Sequence, residues 1–181
     1  MGSIDALEKI YNCKKKGLLY LDLSNMGLNE VPKELKDLPF LQRLSLSNNN
    51  ISDISILEYL PNIHKLALSN NKIEDLSPLK TNKRLKFLFI KGNKISNLSP
   101  ITSLKTLKKI EANSNQISSI DGIESLQNLV FLDLAKNCLD SFDNILELKN
   151  LRWLSIKDNQ FRSDDIAKIR ENLKHLRYFE Y

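Results

Sequence analysis

The 181-residue chain is short of the residues that punctuate, staple or activate a fold: 5 glycines, 5 prolines, 2 cysteines, 2 histidines and 1 tryptophan. So few Gly and Pro leave no room for a flexible linker between domains, and one domain is expected. Cys13 and Cys138 stand far apart and in no metal-ligand spacing. They therefore predict two free, inert thiols in a reducing compartment rather than a disulfide framework or a zinc site. No apolar run approaches the roughly 20 residues that span a bilayer. Met1 to Asp5 lacks the basic and hydrophobic segments of an export signal, and Ala6 stands where a myristoylation site needs Ser or Thr. A cytoplasmic protein with no membrane partner is expected. Also missing are a Gly-rich phosphate loop, a metal motif and a nucleophile elbow. His64 and His175 fall several units away from Cys138, so no catalytic residue, metal or cofactor is expected and the chain is not expected to be an enzyme.

What the chain does have is a period. Leucine-type residues open successive units at Leu18, Leu41, Ile63, Leu85, Leu107, Leu129 and Leu151, spaced by 23 once and then by 22. Each unit follows L-x-x-L-x-L-x-x-N-x-I/L, as in Leu85-Lys86-Phe87-Leu88-Phe89-Ile90-Lys91-Gly92-Asn93-Lys94-Ile95. Alternation in Leu44-Ser45-Leu46 sends apolar side chains inward and the intervening one outward, as on a short strand. A second apolar set, such as Ile54, Leu57 and Leu60, recurs every third residue and predicts tight 3₁₀-like turns on the opposite side. One coil is too thin to bury its own apolar face, so the units must stack into a solenoid with a parallel sheet along its concave side.

The ninth position repeats as Asn49, Asn71, Asn93, Asn115, Asn137 and Asn159. Backbone groups lose ladder partners where each strand leaves the sheet, and a carboxamide both donates and accepts, so these asparagines are expected to form a structural ladder. In the first unit Met26 takes that place. The ends depart from the pattern, as solenoid ends must. Ser3 to Gly17 predicts a capping helix with Ser3 at its N-cap, Lys14, Lys15 and Lys16 late, and Gly17 as the stop. Ile4, Leu7, Ile10 and Tyr11 are expected to cover the first coil. At the other end Ser163 is expected to cap a helix carrying Ile166, Ile169 and Leu173 on one face. Leu173, Leu176 and Tyr178 would then start an eighth strand 22 residues after Leu151. With both ends capped, the chain is expected to be a complete folding unit. Asn82 stands where other units carry leucine, which predicts a looser turn there or a second contact site.

The outward positions hold the candidate site. A solvated face is uniformly polar, whereas this one places Phe87, Phe89, Phe131 and Trp153 outward in its C-terminal half. Lys65, Lys91, Lys109 and Lys157 surround them, with Glu111 and Asp133 between. Aromatics within a mixed-charge rim are the composition of a protein-binding hot spot. Glu111 and Asp133 share a column in adjacent units, but among lysines they are expected to be ordinary acids rather than an acid–base pair. The same acids interrupt any continuous basic track, and a net charge of +5 is weak for nucleic-acid binding, so none is expected.

These units resemble the 22-residue class of leucine-rich repeats found in the phosphatase-1 regulatory subunit and in bacterial internalins. Asp75-Leu76-Ser77-Pro78-Leu79 and Asn97-Leu98-Ser99-Pro100-Ile101 are close to the internalin turn motif. The first unit, with Leu21-Asp22-Leu23-Ser24 and Leu28-Asn29-Glu30-Val31-Pro32, resembles the repeats of bacterial Roco-type signalling proteins. The internalins' export and anchoring modules and the Roco GTPase loop are not in these residues, so the resemblance implies architecture and general role, not a particular partner. The expected fold class is α/β: a right-handed leucine-rich-repeat solenoid, a horseshoe with helical caps. Residues 1–17 form the N-terminal cap, 18–162 seven repeats, and 163–181 a cap helix and partial strand. The expected function is a monomeric, non-catalytic scaffold that binds another protein on its concave face. The resemblance also implies an alternative, a regulatory or sensor region of an intracellular signalling enzyme.

Overall fold

The structure, a computed structural model, describes residues 2–181, with side chains from Ile4 onward. Eight three-residue strands form one open, wholly parallel sheet in chain order. They are β1 (Tyr20–Asp22), β2 (Arg43–Ser45), β3 (Lys65–Ala67), β4 (Phe87–Phe89), β5 (Lys109–Glu111), β6 (Phe131–Asp133), β7 (Trp153–Ser155) and β8 (Tyr178–Glu180). Between β1 and β6 each return on the far side of the coil is a 3₁₀ turn, such as Ser55–Tyr59 or Ser77–Thr81. The return after β6 is a one-turn helix, α2 (Asp143–Leu146). One continuous apolar core runs between sheet and turns, with Leu46, Leu68, Ile90, Leu134 and their equivalents fully buried. Burying each such side chain is worth roughly 1.5–3 kcal/mol, which a single coil without neighbours could not collect.

The entrance cap, α1 (Gly2–Lys16), ends in a Schellman closure. Gly17 adopts φ 61°, the Leu18 N–H reaches the Cys13 carbonyl at 3.0 Å and the Gly17 N–H that of Lys14 at 3.2 Å. Two expectations are corrected here. The helix already runs at Gly2, so Ser3 lies within it rather than at its N-cap; the Ser3 side chain lies outside the described residues. The buried face carries Ala6, Ile10 and Cys13, while Ile4, Leu7 and Tyr11 are exposed. Small side chains at positions 6 and 13 let the helix lie close against the first coil, and the larger residues fall on the outward side.

The exit cap is α3 (Ser163–Asn172) followed by β8. Its N-cap is Arg162, not Ser163: the Asp165 carboxylate accepts the Arg162 N–H at 3.0 Å, holding that residue extended just ahead of the helix. Ile169 and Leu173 are buried and Ile166 half-buried. The register of β8 also differs from expectation. Trp153 pairs with Tyr178, so Leu176 rather than Leu173 opens the eighth unit, 25 residues after Leu151. The helix consumes three more residues than the turn it replaces, and Leu173 closes the core where Leu148 does one coil earlier.

Candidate functional site

Each strand exit from β1 to β7 turns through a left-handed residue. Asn25, Asn48, Asn70, Ser114, Lys136 and Asp158 have φ between 55° and 59°, and Gly92 has φ 66°. From β2 onward that residue swings the following asparagine under the sheet. Asn93 Nδ2 donates to the Ile90 carbonyl at 2.9 Å and the Leu68 carbonyl of the previous coil at 3.0 Å. Its Oδ1 accepts the Ile73 N–H at 3.0 Å. Asn49, Asn71, Asn115, Asn137 and Asn159 make the same three kinds of bond. Carbonyls such as that of Leu68 receive one asparagine from their own coil and one from the next, so both lone pairs are used. These bonds hold the strands in register and so set the spacing of everything on the outer face.

A second, exposed asparagine row was not anticipated: Asn48 Nδ2 donates to Asn25 Oδ1, and Asn70 Nδ2 to Asn48 Oδ1. Gly92 ends it, because a Cβ there would stand 2.5 Å from Asn70 Oδ1. Asn82 also departs from expectation. It is buried, its turn keeps the usual backbone bonds to Leu79 and from Leu85, and its Nδ2 donates to the Leu57 and Leu60 carbonyls at 3.1 and 2.8 Å. A residue 1% exposed makes neither a loose turn nor a contact site.

On the outer face the strand pairing puts Lys65, Phe87, Lys109, Phe131, Trp153 and Tyr178 in one column. A second column holds Phe89, Glu111, Asp133, Ser155 and Glu180. The structure gathers the anticipated residues into two linked groups. Phe131 and Trp153 stack at 4.0 Å between centroids, and Trp153 stacks on Tyr178 at 4.9 Å. The near-parallel rings follow from strand spacing of about 4.8 Å, which sets same-column neighbours at stacking distance. Lys109 Nζ lies 3.9 Å from the Phe131 centroid and 5.5 Å from that of Phe89, whose ring also lies 5.2 Å from Lys65 Nζ. Lys109 further pairs with Glu111 at 2.8 Å, and Lys157 with Glu180 at 3.6 Å. Phe87 is 37% exposed and sits between Lys65 and Lys109, outside both groups. Lys91 is exposed and enters no ion pair among the described residues.

Burial, with Glu111 and Glu180 on either side, raises the Asp133 carboxyl above its ordinary range despite the Ala135 N–H it accepts at 3.1 Å. Tyr178 and Glu180 were missed as site residues. Leu176 was the available signal, masked by counting 22 residues across a helix. Glu180 also covers Ser155, accepting its hydroxyl at 2.9 Å, so Ser155 is outward-facing yet buried. The cysteines are free, Cys13 buried and Cys138 exposed. Among the described residues no cluster of His, Cys, Asp and Glu is arranged to hold a metal, and no helix is long and apolar enough to cross a membrane.

A family model for tandem leucine-rich repeats matches residues 39–81, 61–103 and 105–147, more than half of the chain. No curated protein sequence matches it. Among solved structures, the chain is similar to internalin C2 of Listeria monocytogenes, with a TM-score of 0.81 and 21% identity over 96% of this chain and 91% of that one. It is similar to a leucine-rich-repeat protein of Leptospira interrogans, with a TM-score of 0.78 and 25% identity over 90% of this chain, but spans 49% of that one. It also resembles the ectodomain of the plant membrane receptor kinase GASSHO1/SCHENGEN3 from Arabidopsis thaliana, solved in complex with Casparian strip integrity factor 2. There the TM-score is 0.67 and the identity 24%, over 81% of this chain and 19% of that one.

Proposed function

The chain belongs to the leucine-rich-repeat family, and from that premise we propose that it is a non-catalytic scaffold that binds another protein on its concave sheet. One observation carries the reading: an unbroken run of half-exposed rings, Phe131, Trp153 and Tyr178, joined through Lys109 to Phe89, stands on the outer face of a rigid sheet. Rings held by stacking lose little freedom on contact, which is what a hot spot requires. The receptor ectodomain of similar fold, solved in complex with Casparian strip integrity factor 2, supports a binding role for such a repeat domain. The reading treats residues 1–181 as one repeat domain with its two caps, acting as a monomer. The free Cys13 and Cys138 support a reducing, cytoplasmic setting.

The test is affinity capture from native cell extract with the wild type and a Phe89→Ala/Trp153→Ala variant. A partner retained by the first and lost by the second, with the variant's circular dichroism unchanged, is the expected result. Equal capture by both would move the binding site off this face.

A further inference from the structure

Charge on the concave face is unevenly distributed along the solenoid. In the coils of β5 to β8 the cations are committed, Lys109 to Glu111 and Lys157 to Glu180. In the coils of β2 to β4 the outward charges are Arg43, Lys65 and Lys91, all cationic and exposed. None of the three enters an ion pair or donates a side-chain hydrogen bond among the described residues. Arg43 and Lys65 are direct neighbours across β2 and β3, and Lys65 and Phe87 across β3 and β4. Lys65 is not a freely waving chain, since its ammonium rests 5.2 Å from the centre of the Phe89 ring. Beside these cations stand the exposed Phe87 and the half-buried Phe89.

Resting on the reading that this face binds protein, we infer that its partner presents an extended acidic segment. Its carboxylates meet Arg43, Lys65 and Lys91, and an adjoining apolar side chain lies against Phe87 and Phe89. Size and charge select this occupant. Arg43 and Lys65 stand one strand step, roughly 5 Å, apart, and Lys91 lies one step further and four residues along its coil, about 14 Å from Lys65. Alternate residues of an extended chain stand about 7 Å apart, so acidic side chains on one side of a short peptide span the basic stretch. A nucleic-acid strand has no such end. Its phosphates would continue onto Glu111, Asp133 and Glu180 in one direction and onto Asp22 in the other, against like charge. Asp133, which forms no ion pair among the described residues, favours a peptide whose charge changes from acidic to neutral or basic towards β6.

The experiment is selection of a random-peptide display library on the full chain, with a parallel selection on a Lys65→Glu/Lys91→Glu variant. Wild type is expected to enrich clones carrying Asp or Glu beside an aromatic or aliphatic residue. Those peptides should bind the charge-reversed variant at least about tenfold more weakly and should weaken as salt is raised. Arg43→Gln/Lys91→Gln, which only removes charge, should give an intermediate loss and serves if the reversed variant does not fold. Enrichment of basic clones, no enrichment at all, or peptides indifferent to both variants would overturn the inference. So would a random oligonucleotide that binds wild type and is lost from the variants while no acidic clone emerges. Peptides lost with Phe89→Ala/Trp153→Ala but retained by the charge variants would leave the concave-face reading standing and remove only the acidic partner.

Discussion

Two rows run along the same sheet, one behind it and one in front, and they are built on opposite principles. Behind, asparagines at the strand exits repeat without variation from Asn49 to Asn159, and each bonds its own coil and the one before it. In front, the strand pairing carries Arg43, Lys65, Phe87, Lys109, Phe131, Trp153 and Tyr178, a row that changes along the solenoid from basic to mixed to aromatic. Buried polar groups leave no latitude, because any that lacks a partner is destabilising by its full desolvation. Outward side chains on a formed sheet change stability little, so that row is free to differ from coil to coil and to recognise something.

The sharpest way to break this contrast is Asn93→Leu. It removes three bonds and strands the Ile73 N–H inside the coil, while the Ile90 and Leu68 carbonyls are left with one donor each, Asn115 and Asn71. A loss of about 2–4 kcal/mol in urea unfolding is expected. A loss below about 1 kcal/mol would mean that water can replace the carboxamide and that the row is not structural. Trp153→Ala should cost about 1–2 kcal/mol, since the ring is stacked on both faces but only half-buried. A loss as large as that of Asn93→Leu would place Trp153 in the core and erase the distinction between the rows.

Asn82 tests the rule from the other side. Its Oδ1 is buried with no donor, and the Leu57 and Leu60 carbonyls it serves already accept backbone N–H groups. Asn82→Leu, the residue of neighbouring coils, should raise stability by about 1 kcal/mol. A fall would show that an isolated asparagine contributes as the stacked ones do. The smallest effect is expected at Asp133. Its folded-state carboxyl is raised above the unfolded value by burial and by Glu111 and Glu180, so the folded chain holds this proton more tightly. Its contribution to stability therefore increases as pH falls through the raised value and levels off below the ordinary carboxylate range. Asp133→Asn should raise Tm at pH 7 by less than about 2 °C, an advantage gone near pH 4. A lowered Tm at pH 7 would mean that the carboxylate is held by a cation in solution.

The spacing of Leu18, Leu41, Ile63 and their successors determined the solenoid, because alternating burial on a short strand and a fixed coil length leave one way to stack. It also put Phe87, Phe89, Phe131 and Trp153 outward and the ninth-position asparagines inward. Where the period broke, counting failed. The face of α1 was chosen by the largest apolar residues, whereas close approach favoured Ala6 and Cys13. The three extra residues of α3 carried Tyr178 and Glu180 into columns they did not occupy on paper. Stacking of Phe131 on Trp153, the chain of Lys65, Phe89 and Lys109, and the pairing that leaves Arg43, Lys65 and Lys91 uncommitted were decided only by the folded chain. Repetition along a sequence specifies which face a residue takes. Which neighbour it touches depends on rotamers and on charges brought within a few ångströms from residues 20 or more positions away.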